Sequence, residues 1–105
     1  MEKAKVYFDD FRAPVGTSVL KKLDRLIRKA GMEEMDFQRK LVAIKMHFGE
    51  PGNLTFLRPN YAKVVADLCK EQGGLPFLTD CNTLYPGSRK NALEHLTCEI
   101  GRAHV

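Results

Sequence analysis

The sequence predicts an α/β fold of three layers around a mostly parallel sheet, in the order strand, helix, strand, helix, strand, helix, forming part of a larger domain. Three observations predict it. Short apolar segments alternate with stretches of helical periodicity, the order that crossover connections of a parallel sheet require. Leu41 to Met46, LVAIKM, is near-continuously apolar rather than alternating, as a strand covered on both faces would be. Each predicted strand also empties into a polar or glycine-rich loop, which is where open α/β sheets bind their ligands.

Lys5 to Phe8 is the first predicted strand, followed by Asp9, Asp10 and a loop carrying Pro14 and Gly16. Thr17 or Ser18 is the expected N-cap of the first helix, since a hydroxyl there accepts from a free first-turn amide. Leu20, Leu23, Ile27 and Ala30 then recur at helical spacing, with Lys21, Lys22, Asp24, Arg25 and Arg28 on the other face. Gly31 follows as a terminator able to take positive φ. Met32 to Lys40 is a mixed-charge connector into the second strand, Leu41 to Met46. Pro59 opens the second helix, because its missing amide hydrogen costs nothing in a first turn. Tyr61, Val64, Val65, Leu68 and Cys69 form its inward stripe, and Gly73 and Gly74 end it. Leu75 to Thr79 is the third strand. Ser88 is the expected cap of a last helix from about Arg89, with Ala92, Leu93 and Leu96 inward.

A chain of 105 residues holds one domain with a real core but is short for a complete α/β enzyme. Its 44% hydrophobic and 29% charged composition is that of a globular protein. No run approaches the roughly 18 apolar residues of a membrane span, and MEKAKVYF enters a strand with no signal segment, so the expectation is a cytoplasmic protein without a membrane role. The net charge of +4 resides in mixed-sign helix faces such as KKLDRLIRK. Without an aromatic-interleaved basic patch, nucleic acid is not the expected partner. Cys69, Cys81 and Cys98 are odd in number and widely spaced, which points to reduced thiols rather than a disulfide framework or paired-cysteine zinc site.

The predicted strand ends gather Asp9 and Asp10, then His47, Gly49, Glu50 and Asn53, then Thr79, Asp80, Cys81, Asn82 and Thr83. His47 is a candidate metal ligand, base or hydrogen-bond donor, or a satisfied structural histidine. Glu50 is its candidate second ligand or acid/base partner, or a solvated loop carboxylate. Gly49, Pro51 and Gly52, with Arg58 adding charge, permit an anion cradle or a plain turn. Asp80 and Cys81 pair a hard and a soft ligand ahead of the Asn82 amide and Thr83, and Cys81 is equally a reactive thiolate or an inert cysteine. The candidate ligand site is therefore His47, Gly49, Glu50, Asn53, Arg58, Asp80, Cys81, Asn82 and Thr83, with His47, Glu50, Asp80 and Cys81 as its candidate metal ligands. Cys69 belongs to the core, and Tyr85 is expected to pack rather than to act as an acid. Walker, dinucleotide-binding and nucleophile-elbow motifs are absent from the sequence.

At VAIKMHFGEPGN, RPNYAKVV and PFLTDCNTLYPGSRKNALEHL the chain resembles the N-terminal part of an uncharacterised iron-sulfur-protein family, the domain of unknown function 362 family. The resemblance covers nearly everything from Lys5 to Leu96. It implies an α/β domain followed, in the full-length protein, by a ferredoxin-type module whose cysteine run binds 4Fe-4S clusters. No Cys-x-x-Cys-x-x-Cys run occurs here, so the clusters are expected in a module downstream, and this chain is expected to hold at most a metal ion. His47, Gly49, Glu50, Asp80, Cys81 and Asn82 match the family's motif positions. EIGRAHV, residues 99–105, resembles the translation of a sequencing-adapter read-through. The expected division is thus a truncated α/β domain over 1–98 and a non-native tail over 99–105. The leading functional expectation is a small-molecule or metal-binding domain serving its own ferredoxin module. A metal-dependent hydrolase or lyase using His47, Glu50 and Asp80, and a non-catalytic docking scaffold, stand beside it.

Overall fold

The computed structural model describes residues 2–102. The elements are helix α1 (Val19–Lys29), a 3-10 turn at Met32–Glu34, strand β1 (Leu41–Lys45), helix α2 (Pro59–Glu71), strand β2 (Leu75–Thr79) and helix α3 (Ala92–Arg102). Among the described residues β1 and β2 form a two-stranded sheet. The Leu75 amide donates to the Lys40 carbonyl at 2.8 Å and the Met46 amide to the Thr79 carbonyl at 2.9 Å. The two registers rise together, so the pair is parallel, joined through α2. The chain divides into two compact units, Met1–Ile44 with Pro59–Phe77, and Lys45–Arg58 with Leu78–Val105. No helix among the described residues is long and apolar enough to cross a membrane.

In the first unit Ser18 is the N-cap of α1, its hydroxyl accepting from the Lys21 amide at 3.2 Å. Arg28 bonds Asp24 on its own helix at 3.0 Å and Glu71 of α2 at 2.7 Å, which fixes how the two packed helices meet. The predicted α2 stripe is the core: Leu68 and Cys69 are fully buried, Ala62 nearly so, and Tyr61, Val64 and Val65 half-buried. Its end explains both glycines. Gly74 N–H bonds the Cys69 carbonyl and Gly73 N–H the Lys70 carbonyl, each at 2.9 Å, with Gly73 at φ +76°. That is a Schellman closure, and its C′ position favours glycine. A Cβ at Gly74 would lie 3.0 Å from the Cys69 carbonyl oxygen and 3.1 Å from Phe37 Cβ.

Three expectations need correction here. Lys5 to Phe8 is not a strand, and Val6 and Phe8 stand 88% and 85% exposed. Strand propensity needs a neighbouring edge, and among the described residues β1 and β2 pair only with each other. β1 is not covered on both faces either: Leu41, Ala43 and Lys45 are exposed and Val42 and Ile44 half-buried. The three-layer, three-strand order is therefore reduced to two parallel strands and three helices. Instead of continuing a strand, Asp9 and Asp10 turn onto α1. The Lys22 ammonium meets Asp9 Oδ1 at 2.8 Å, Asp10 Oδ1 at 2.9 Å, and the carbonyls of Asp10 and Arg12 at 2.7 and 2.8 Å. Its hydrogen bonds to Asp9 and Asp10 hold both carboxyls below the usual range.

In the second unit α3 starts at Ala92 rather than near Arg89. Asn91, not Ser88, is the cap: its Oδ1 accepts from the Glu94 amide at 2.9 Å, and its carbonyl from the His95 amide at 2.9 Å. The phase of the helix differs accordingly. Leu93 and Leu96 are exposed, as is Ala92, while His95, Cys98 and Glu99 take the covered side. Glu99 to Arg102 belong to this helix; the rest of the predicted tail, 103–105, lies outside the described residues.

Candidate functional site

The site lies in the second unit, where the chain leaves β1 and β2. After β1 the path turns at Gly49, φ +90°, and again at Gly52, φ +81°, and the Asn53 amide closes the turn on the Glu50 carbonyl at 2.9 Å. These positive φ values are why glycine recurs in this loop. After β2, residues Thr83 to Arg89 fold back on themselves: the Thr83 amide donates to the Arg89 carbonyl at 2.9 Å, and the Thr83 hydroxyl to the Tyr85 carbonyl at 3.1 Å. This closed loop delivers Arg89.

Arg89 is the centre of the site, its side chain 2% exposed. Nη1 donates to Asp80 Oδ2 at 3.2 Å. Nη2 donates to Glu50 Oε1 at 2.7 Å and lies 3.4 Å from the Tyr85 hydroxyl and 3.0 Å from His47 Nε2. Tyr85 Oη in turn donates to Glu50 Oε1 at 2.6 Å. One guanidinium thus gathers groups from two strand ends and from its own loop, as its planar fork allows. Arg89 Nε is enclosed with no hydrogen-bond partner.

Asp80, 3% exposed, also accepts from the Cys81 amide at 2.8 Å and meets Lys45 Nζ at 3.5 Å, both on Oδ1. Burial pushes its carboxyl upward, but the amides of Cys81 and Phe48 and the Lys45 ammonium outweigh this and hold it below the usual range. The Glu50 carboxyl is held low by the Tyr85 hydroxyl first and Arg89 second. The Arg89 guanidinium is raised, chiefly by Glu50. His47 Nδ1 accepts from the Gly49 amide at 2.9 Å while Nε2 faces Arg89, another donor. A neutral imidazole has one lone-pair nitrogen, so only one of these contacts is a hydrogen bond at a time.

On the other side of Asp80, His95 Nε2 lies 3.8 Å from Asp80 Oδ2, and His95 Nδ1 is enclosed without a partner. Both residues line a cavity of about 500 Å³ with Phe48, Leu78, Thr79, Asn82, Ala92, Leu96 and Glu99, a size suited to a small ligand. A second cavity, of about 630 Å³, lies between the Pro51 and Gly87–Ser88 turns and α3, with Cys98 in its wall.

The structure brings together His47, Glu50 and Asp80 around Arg89, with Gly49 shaping the approach and Thr83 closing the loop. Asn82 joins them only as a wall of the smaller cavity. Asn53 instead turns inward on its own loop, accepting from the Thr55 amide and hydroxyl at 2.9 and 3.0 Å. Arg58 and Cys81 are exposed. Among the described residues no three His, Cys, Asp or Glu side chains converge as a metal-holding group; the guanidinium fills the point where His47, Glu50 and Asp80 meet. The residues present do not fit a 4Fe-4S cluster, which takes four thiolates. The sequence has three cysteines, of which Cys69 belongs to the core of the other unit and Cys81 and Cys98 are exposed and buried. Arg89, His95 and the polar role of Tyr85 escape sequence reasoning. No local pattern marks Arg89, since the Lys45 ammonium and the Cys81 amide also serve Asp80.

A family model described as Domain of unknown function (DUF362) matches residues 42–101. The match spans β1 from Val42 onward, α2, β2 and every residue of the Arg89 cluster. No curated protein matches the chain, and no solved structure matches it.

Proposed function

The chain belongs to the domain of unknown function 362 family, and we propose that it is the ligand-binding domain of a cytoplasmic iron-sulfur redox protein whose 4Fe-4S clusters reside in a separate ferredoxin-type module. The observation that carries the binding role is the cavity beside Asp80 and His95, backed by a carboxylate that Arg89, Lys45 and two amides hold ionised in place. Rigid polar groups at the floor of an otherwise apolar cavity orient a ligand by a few directed contacts. The redox part rests on the resemblance of the HFGEPGN and PFLTDCNTLYPG motifs. Two measurements test the proposal. A protein-detected NMR screen of the chain, following its backbone amide shifts, should map hits to Phe48, Asn82, Ala92 and Leu96, and hits confined to other surfaces would overturn the binding role. The longer reading frame should encode a Cys-x-x-Cys-x-x-Cys run and give the electron paramagnetic resonance signal of a reduced cluster; a different downstream domain would overturn the redox role.

A docking scaffold is the second reading, favoured by α3, whose Leu93, Leu96 and Ile100 stand 60 to 75% exposed on one face. It predicts that Asp80→Asn leaves every binding property of the longer protein unchanged.

A further inference from the structure

The open edge of the two-stranded sheet carries an inference about a partner. Along a strand the N–H and C=O of one residue point to the same side, and the side alternates from residue to residue. The Lys40 carbonyl and the Met46 amide face β2, so Val42 and Ile44 do too, and Leu41, Ala43 and Lys45 turn their backbone groups outward. Among the described residues no third strand pairs with them, and none of these amides donates elsewhere. The outer edge of β2 is blunted. Leu75 and Thr79 face β1, which leaves Pro76 and Leu78 facing outward, and proline has no N–H to give. β1 therefore offers the intact ladder edge, with Leu41 76% exposed on it, and an extended segment can add to such an edge as a further strand.

Charge selects the occupant. Arg39 stands exposed at the entry of β1 with no ion pair among the described residues, and Lys45 at its end is 61% exposed and reaches Asp80 only at 3.5 Å. Lys40 between them is offset by Asp36 at 2.8 Å. The edge is thus a stretch of exposed backbone between two cations six residues apart. Lys5 to Phe8 has strand character yet stays off this edge, with Val6 and Phe8 exposed. It brings Lys3 and Lys5 with it, and like charges facing each other across a ladder destabilise the pairing. Lysine at an edge discourages strands of its own sign and favours acidic ones. We propose that β1 docks an extended segment of a partner protein, one with acidic residues at both ends and alternate apolar residues that lie beside Leu41 and Ala43. The inference stands independently of the ligand-binding reading above.

The test titrates peptides about seven residues long, matched to the strand, into the whole chain and follows the amide shifts and exchange of Leu41, Ala43 and Lys45. A peptide alternating glutamate and valine should bind about ten-fold or more tightly than its lysine counterpart at low salt, and added sodium chloride should erode the difference. Arg39→Asn, which suits the left-handed φ of 56° at this position, should narrow it to about three-fold. Two further versions of the acidic peptide, N-methylated at the valines or at the glutamates, separate strand addition from charge attraction alone. One should lose its binding and the other keep it, since only alternate residues of a strand face the edge. Equal behaviour of those two versions would overturn strand addition. Equal or tighter binding by the lysine peptide, or by a peptide copying residues 3–9, would overturn the acidic class, and an unchanged preference in Arg39→Asn would overturn the role of Arg39. If no peptide perturbs Leu41 or Ala43, the inference falls.

Discussion

Replacing Arg89 by methionine is the most direct probe of how the site holds together. Methionine retains much of the apolar stem and deletes the fork, so the effect isolates the guanidinium. The affected partner that matters is Asp80, 3% exposed and 3.2 Å from Nη1. Breaking a buried pair by removing one member costs about 3–5 kcal/mol, because the other charge stays enclosed. The Cys81 and Phe48 amides and Lys45 remain on Asp80, which places the expected loss near the lower limit, about 3 kcal/mol. The contact with Glu50 adds little, since that carboxylate is 40% exposed and water replaces the lost donor. With an m-value of about 1 kcal/mol/M in urea, the second unit should unfold roughly 3 M earlier. Hydrogen exchange of the Phe48 and Cys81 amides along a urea series reads this directly, separately from α1 and α2. Asp80→Asn combined with Arg89→Met should recover at least half of the loss, because the stranded charge is gone. A midpoint within about 0.5 M of the unaltered chain, or a double variant no more stable than the single, would refute the account of Arg89 as the organising group.

Acid should act on the same unit. The Asp80 and Glu50 carboxyls are held below their ordinary values of 3.8 and 4.5. Folded values below unfolded ones mean that their stabilisation is complete above the ordinary range and lost as pH falls through the folded values. Exchange protection at Cys81 should therefore decline on acidification below about pH 4, and protection unchanged through that window would count against it. Lys22→Met should free residues 9–12 from α1 and raise proteolysis after Arg12, with α1 retained by circular dichroism; an unchanged cleavage pattern would show that the four oxygens on Nζ do not hold the loop. The exposed Leu93, Leu96 and Ile100 face of α3 should make the chain self-associate as concentration rises. Leu93→Glu with Ile100→Glu should return it to a monomer in sedimentation, and a chain that sediments as a monomer without these changes would contradict the prediction.

The sequence was most legible where local chemistry decides structure. Ser18 as a cap, the buried stripe from Tyr61 to Cys69, the Gly73–Gly74 stop and the extent of β2 all follow from neighbours within a turn or two. It was least legible where a distant partner decides. Lys5 to Phe8 carries strand residues but no described edge receives it. Leu93 and Leu96 fit a helix stripe, yet the helix turns His95 and Cys98 to the covered side, because Asn91 sets its start and Arg89 is drawn out of it toward Asp80. For the site, polar strand ends pointed to His47, Glu50 and Asp80, which the structure brings together around Arg89. What lies between them is a cation 39 to 42 residues beyond the first loop, a pairing that no local pattern encodes.

That spacing has a temporal side. During synthesis at about 5–20 residues per second, His47 and Glu50 wait roughly 2–8 s before Arg89 is made, while Gly49 and Gly52 already shape their loop. The residues of α1, α2, β1 and β2 have all been synthesised by then, so the polar loop stays hydrated until the guanidinium arrives. Arg89 is in this sense a late latch. A nascent chain released before residue 89 should carry the scaffold without the site, and one released just after it should carry both.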